Sequence, residues 1–165
     1  MRITEFLLTL LISQICFGQA RIVGVYNDRF SESIELKADS TFTHNYKFDL
    51  ASSWTTGKWK FKNGKISLQT KLIMDTLVLG ESGQKKLKDS LVLSPDKVSN
   101  RVGFSDYAIS SISGGGQNRV KPPSQLYWKK KRLYRINEDG TLDLRKLKGF
   151  WTDKKYKTYF RKETE

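Results

Sequence analysis

His44 is the only histidine in the 165-residue chain and Cys16 the only cysteine. Proton relay or nucleophile activation near neutral pH most often recruits a histidine, so a Ser-His pair here would have to use His44. That residue sits in Thr41-Phe42-Thr43-His44-Asn45-Tyr46-Lys47-Phe48, in phase with Phe42, Tyr46 and Phe48. Such a setting suits an imidazole hydrogen-bonded in a core, or a polar contact inside an apolar cavity, better than a relay. No Gly-x-Ser-x-Gly elbow is present. With one histidine, metal ligation would fall to carboxylates, and these are scattered over polar positions. The run Gly114-Gly115-Gly116 precedes Gln117-Asn118-Arg119 rather than the Lys-Ser or Lys-Thr of a phosphate cradle, and reads as a flexible link. Glu35, Asp49 and Asp106 show nothing that marks a glycosidase acid and base. The sequence therefore predicts no enzyme, no catalytic residue, no metal and no cofactor.

The cations are more informative. Lysines and arginines number 30 against 17 acids, a net charge of +13. Lys129, Lys130, Lys131, Arg132 and Arg135 head a basic last third, continued by Lys146, Lys148, Lys154, Lys155, Lys157, Arg161 and Lys162. Tyr127, Trp128, Tyr134, Trp151, Tyr156 and Tyr159 are interleaved among them. Alternating lysines can simply solvate the outer face of strands and guard their edges. Clustered with aromatics, they also suit docking on anionic polymers or lipid headgroups.

Strands must position these residues, and residues 36–70 show how. Phe42, His44, Tyr46 and Phe48 alternate with Thr43, Asn45, Lys47 and Asp49, the period of a half-buried strand. Ile34 and Leu36 alternate likewise before it, and residues 38–40 supply a short polar hairpin link. After a polar loop at Ser52 and Ser53, Trp59 and Phe61 face one way and Lys58, Lys60 and Lys62 the other. Gly57, on the inward side, marks a bulge or a place where a large ring lies over the backbone. Asn63-Gly64 is a type I′ turn signal, after which Ile66 and Leu68 return on the next strand. These runs predict an antiparallel meander whose shared face is Ile34, Leu36, Phe42, His44, Tyr46, Trp59, Phe61, Ile66 and Leu68.

Residues 22–26 form an apolar run suited to a first strand. Asp75-Thr76-Leu77-Val78-Leu79-Gly80 and Asp89-Ser90-Leu91-Val92-Leu93-Ser94 read as two more, with an exposed turn between them. Residues 102–112 hold a weaker strand pattern. Asn137-Glu138-Asp139-Gly140 is a tight turn, and residues 155–162 are a last strand. Residues 1–18 carry Arg2, an apolar run from Phe6 to Phe17 and a small residue at the end, the plan of a signal peptide; cleavage after Ala20 is the alternative. Ile15 occupies the position where a lipobox requires a small residue, so Cys16 is not expected to be lipidated. A single domain over residues 19–165 follows, since 38% hydrophobic residues suffice for one core but not two.

Gly24-Val25-Tyr26, Leu36-Lys37-Ala38-Asp39-Ser40-Thr41-Phe42 and Gly57-Lys58-Trp59 together resemble a broad set of small exported bacterial β-barrel proteins described as lipocalin-like. The resemblance implies an all-β chain, an antiparallel meander closing into a barrel of about eight to ten strands. It also implies a non-enzymatic binding role, a small apolar or amphipathic ligand held near His44, Tyr46 and Trp59. In a true lipocalin the Gly-x-Trp lies on the first strand with a late Arg or Lys over its ring, whereas here the first strand carries Tyr26. The alternative role is a cationic module docking through Lys129, Lys130, Lys131, Arg132 and Arg135. Export makes nucleic acid a poor natural partner for either. Intact-mass measurement of the protein from a native host should give an unlipidated chain beginning at Gln19 or Arg21; retention of Met1 or a diacylated Cys16 would refute the leader assignment.

Overall fold

A computed structural model describes residues 21–79, 81–82, 85–86 and 89–163. The leader, its cleavage sites and Cys16 lie outside the described residues. In chain order the strands are β1 (Gly24–Asn27), β2 (Glu32–Leu36), β3 (Thr41–Phe48), β4 (Ala51–Lys62) and β5 (Lys65–Lys71). An insertion follows with β6 (Met74–Val78), β7 (Glu81–Ser82), β8 (Lys85–Lys86), β9 (Ser90–Leu93), β10 (Arg101–Gly103) and helix α1 (Phe104–Ile112). The chain ends with β11 (Gln125–Lys129), β12 (Arg132–Arg135), β13 (Lys146–Lys148), β14 (Lys155–Lys157) and β15 (Phe160–Lys162). Eight of these strands close into an antiparallel barrel of order β1-β15-β12-β11-β5-β4-β3-β2, so the all-β barrel expected from the alternation is present.

The turns explain the register. Asn63 and Gly64 adopt φ of 52° and 76°, the type I′ pair that matches strand twist. Ser40 takes φ of 63° at the end of the 38–40 link, where the Lys37 N–H donates to the Thr41 carbonyl at 2.9 Å. The turn between β3 and β4 falls at Asp49-Leu50, with Asp49 at φ 53°, not at the two serines. Ser53 and Thr55 instead belong to β4 because their hydroxyls find partners there: Ser53 Oγ receives the Val120 N–H at 2.9 Å, and Thr55 donates to Asn118 Oδ1 at 3.3 Å. At Gly57 a Cβ would stand 2.7 Å from a Phe42 ring carbon and 2.0 Å from the Gln69 carbonyl oxygen. The ring-over-backbone alternative is the one realised.

Three expectations are corrected beyond the meander. Residues 104–112 are helical rather than extended, Phe104, Ala108 and Ile112 recurring at the four-residue helical spacing. The segment 155–162 is two strands: β14 pairs with β13 in a separate hairpin, and β15 enters the barrel wall. β6 and β9 do pair antiparallel, but in a small sheet with β10, which lies parallel to β6. The triple glycine is no loose link. It runs beside β4, where Gly114 and Gly116 carbonyls accept from Ser52 and Trp54 at 3.1 and 3.2 Å, and a Cβ on Gly114 would meet the Leu50 carbonyl oxygen at 2.4 Å. Buried Gln117 clamps this segment to the insertion, accepting from the Ile73 N–H at 2.7 Å and donating to the Ile73 carbonyl at 2.8 Å.

Inside the barrel, Ile22, Tyr26, Ile34, Leu36, Phe42, Trp59, Ile66, Leu68, Leu126, Leu133 and Phe160 form one continuous buried cluster. Trp59 is 1% exposed, its indole N–H donating to the Lys37 carbonyl at 3.0 Å. Burial pushes the Tyr26 phenol up to about 12, so it remains a donor, to the Ile22 carbonyl at 2.6 Å. Phe61 is half-buried, edge-on to Trp128. Trp59→Ala should therefore cost about 3 to 5 kcal/mol of unfolding free energy in urea titrations, the range for a large aromatic in a packed core. A loss below ~1 kcal/mol would mean the ring faces open space.

Candidate functional site

The period-two pattern continues beyond the apolar cluster at the end of the barrel that carries the Asp49-Leu50 turn. There the positions in phase with Ile34, Phe42 and Leu133 are Glu32, His44 and Arg135. His44 is fully buried, with Nε2 2.9 Å from Glu32 Oε2. A carboxylate only accepts, so Nε2 carries the proton in that bond. Arg135 Nη2 donates to Glu32 Oε1 at 2.9 Å and to Asp28 Oδ2 at 3.3 Å, and its guanidinium lies 4.6 Å from the Phe160 ring centroid. Asp28 Oδ1 accepts the Phe30 and Glu32 backbone N–H groups at 2.7 and 2.9 Å. Burial works to raise the Glu32 pKa, but the His44 hydrogen bond and the Arg135 charge and hydrogen bond outweigh it and hold it below the usual glutamate value. Burial wins at Asp28, whose pKa is raised against the pull of those two N–H groups. These contacts join the four side chains into one network, and within it His44 Nδ1 is buried without a hydrogen-bond partner among the described residues.

The outer wall is different. β12 and β15 place Arg132 directly opposite Arg161, with the Tyr159 ring 4.8 Å from one guanidinium carbon and 5.4 Å from the other. Like charges opposed across strands repel. Neither arginine has a carboxylate within ion-pair distance among the described residues. Further along, Arg29 and Lys154 lie 5.8 and 5.7 Å from the Tyr156 ring centroid. Asn27, Arg29, Lys154, Tyr156, Lys157, Tyr159 and Arg161 line a cleft of about 230 Å³ without a carboxylate in its lining. At the strip's other end, Lys130 and Lys131 are the central pair of the β11–β12 hairpin, with φ of 50° and 59°. This is a type I′ turn built without glycine or asparagine, at a cost in backbone strain. Neighbouring cations are neutralised and stand apart from the strip. Arg145 grips Asp143 through two bonds of 2.9 Å, the contact that brings the Asp143 pKa down to about 2, and Lys148 meets Asp153 at 2.5 Å.

The residues singled out in the sequence are thus divided. His44 and Trp59 are interior, Tyr46 is half-buried, and none of the three lines the 230 Å³ cleft or a second cavity of about 450 Å³. That cavity lies between α1, β9 and the triple glycine, with Met74, Leu91, Leu93, Tyr107 and Arg119 in its lining. Lys129, Lys130, Lys131 and Arg132 are exposed together at the β11–β12 turn, while Arg135 points into the barrel. Arg29 and the pairing of Arg132 with Arg161 escaped the sequence reading. Strand register brings the arginines together, but Arg135 was legible, standing two residues from inward Leu133. No family model, curated protein or solved structure matches the chain.

Glu32→Gln should leave His44 without its carboxylate and Arg135 with Asp28 alone, and lower stability by about 3 kcal/mol near neutral pH. Because the folded pKa of Glu32 is depressed, its contribution is present above the ordinary glutamate range and lost as pH falls through the folded value. Asp28, with its raised pKa, acts in the opposite sense. Unfolding titrations across acidic pH should show the wild-type advantage over Glu32→Gln shrinking as pH falls; an advantage independent of pH would exclude this linkage.

Proposed function

We propose that the chain, exported by its leader, is a non-enzymatic cationic recognition module that docks on clustered phosphate or carboxylate groups through the strip on β12, β14, β15 and the β1–β2 loop. The observation that carries this is the opposition of Arg132 and Arg161 around Tyr159, adjoining a cleft lined by Arg29, Lys154 and Arg161. Solvating lysines gain nothing from being opposed, whereas an anion set between two guanidinium groups turns their repulsion into two charge-assisted contacts. The tyrosine rings hold the cations by their faces, which limits the side-chain ordering cost of binding. The filled barrel supplies the rigid wall that keeps the cations in register. Side chains of the buried cluster surround Trp59, which favours the outer wall over the apolar pocket that the lipocalin-like resemblance implies.

Immobilised polyphosphate is a direct probe. Wild-type binding should weaken steeply as salt rises, each phosphate contact steepening the dependence. The double variant Arg29→Gln/Lys154→Gln should bind roughly 30-fold more weakly, taking about 1 kcal/mol for each cation at an anionic surface. Uptake of an apolar ligand would barely respond to salt. Salt-insensitive binding, or a double variant equal to wild type, would refute the proposal.

A further inference from the structure

The end of the barrel that carries the cleft also carries exposed apolar side chains that the fold does not use. Trp151, at the tip of the β13–β14 hairpin, is 95% exposed and left-handed at φ 55°, a conformation unfavourable for a bulky residue. Next to it, Phe150 stacks on Phe48 at 4.0 Å and meets Phe30 edge-on at 6.2 Å. This packing fixes the hairpin tip against the β1–β2 loop and the end of β3. Leu50, two residues beyond Phe48 in the β3–β4 turn, is 85% exposed, and so is Ile112, just before the glycine segment that hydrogen-bonds along β4. Two turns and the last residue of α1 thus present Leu50, Trp151 and Ile112 at one end of the barrel.

Around them stand Arg29, Lys47, Lys148, Lys154 and Lys155, all exposed. Of the acids here, Asp28 and Glu32 are held by Arg135, Asp153 is paired with Lys148, Asp49 shares the turn with Leu50, and Glu138 and Asp139 stand exposed in the turn that follows β12. A soluble polyanion would use the cations and leave the apolar tips in water. A protein partner would need a broad complementary face, whereas these tips are narrow and lie on separate turns. A bilayer accepts both kinds of group at once: indole and leucine enter the headgroup and acyl boundary, and lysines and arginines stay at the level of the phosphates.

We infer that this end of the barrel seats on an anionic lipid bilayer, with Trp151 and Leu50 inserted into the interface and Arg29, Lys154 and Lys155 on the headgroup phosphates. The inference rests on the anion-docking proposal and names its partner. It requires no membrane-spanning segment, only shallow burial of two side chains beside a basic cleft.

The test uses the mature chain with vesicles of phosphatidylcholine alone, of phosphatidylcholine with phosphatidylglycerol, and of the mixture carrying brominated acyl chains, alongside immobilised polyphosphate. The mixed vesicles should bind, brominated lipid should quench a blue-shifted emission that Trp151→Phe removes, and phosphatidylcholine alone should bind far less. Trp59 is buried in the barrel and Trp54 and Trp128 are half-buried, and the emission of these three, recorded in Trp151→Phe, is the background to subtract. Trp151→Ser should weaken vesicle binding roughly tenfold or more while leaving polyphosphate binding unchanged. Equal vesicle affinity for wild type and Trp151→Ser without quenching would overturn insertion and leave the anion-docking proposal standing. So would binding to polyphosphate with none to vesicles. Failure to bind either probe would overturn both.

Discussion

Closure of the barrel depends on how its shortest stave is held. β15 contributes two paired positions to β1 and two to β12, against eight between β3 and β4. A seam so short leaves the upper parts of β12 and the β1–β2 loop unjoined by backbone hydrogen bonds. Arg135 spans that gap, reaching from the end of β12 to Asp28 and Glu32 on the opposite side of the seam. Glu32 in turn fixes His44 on β3, so one guanidinium ties β12 to β2 and β3 through the interior. Buried ion pairs seldom add net stability over apolar packing, but removing one partner is costly because the other charge is stranded. Here geometry sets their value: a hydrophobic side chain of similar size could fill the space without bridging from β12 to both carboxylates.

The interior of the barrel is packed by its own side chains. A barrel of eight strands is just wide enough either to be packed by its own side chains or to hold one small ligand. Trp59, Phe42, Tyr26 and Phe160 take the first course, and the ionic group seals the end above them. The proposed recognition then falls to the wall and the loops. The sheet's outer alternation sets cations there at regular spacing, and two excursions add what strands alone cannot. The β13–β14 hairpin contributes Lys154 and Tyr156 beside Arg29, and the insertion contributes the segment that continues the wall along β4 beyond the reach of β5.

Much of the barrel was legible because its inward face is strongly apolar and its period is two. The β2 to β5 meander, the Asn63-Gly64 turn and the burial of Trp59 all follow from that alternation. The Asp49-Leu50 turn did not, since Ser52 and Ser53 look like loop residues until partners from the insertion satisfy the Ser53 hydroxyl and Ser52 backbone. The helix at residues 104–112 was hidden by short length and by serines, and it buries no residue that would sharpen its pattern. The cleft was half legible. Charge and aromatic interleaving marked β12, β14 and β15, whereas Arg29 joins them only through closure, 125 residues before Lys154 in the chain. Arg135 shows the limit of charge counting: its composition placed it with Lys129 to Arg132, and its phase placed it inside.

The cationic strip and the weak seam occupy the same strands, so the proposed docking would be coupled to closure. Arg132 and Arg161 repel across β12 and β15, the contact on which closure depends. An anion seated between them would remove that repulsion and add attraction to both strands, so it would favour the closed barrel over any state in which β15 has detached. A ligand that binds only the closed form must stabilise it by mass action. Under the docking proposal the seam would have two latches of different kinds. Inside, Arg135 with its carboxylates holds the upper end; outside, an anion bridging the arginine pair would be the second. A lysine pair would serve less well, because guanidinium groups keep their planar donors directed while stacked on Tyr159, and a phosphate or carboxylate can then be met in two-pronged fashion by each.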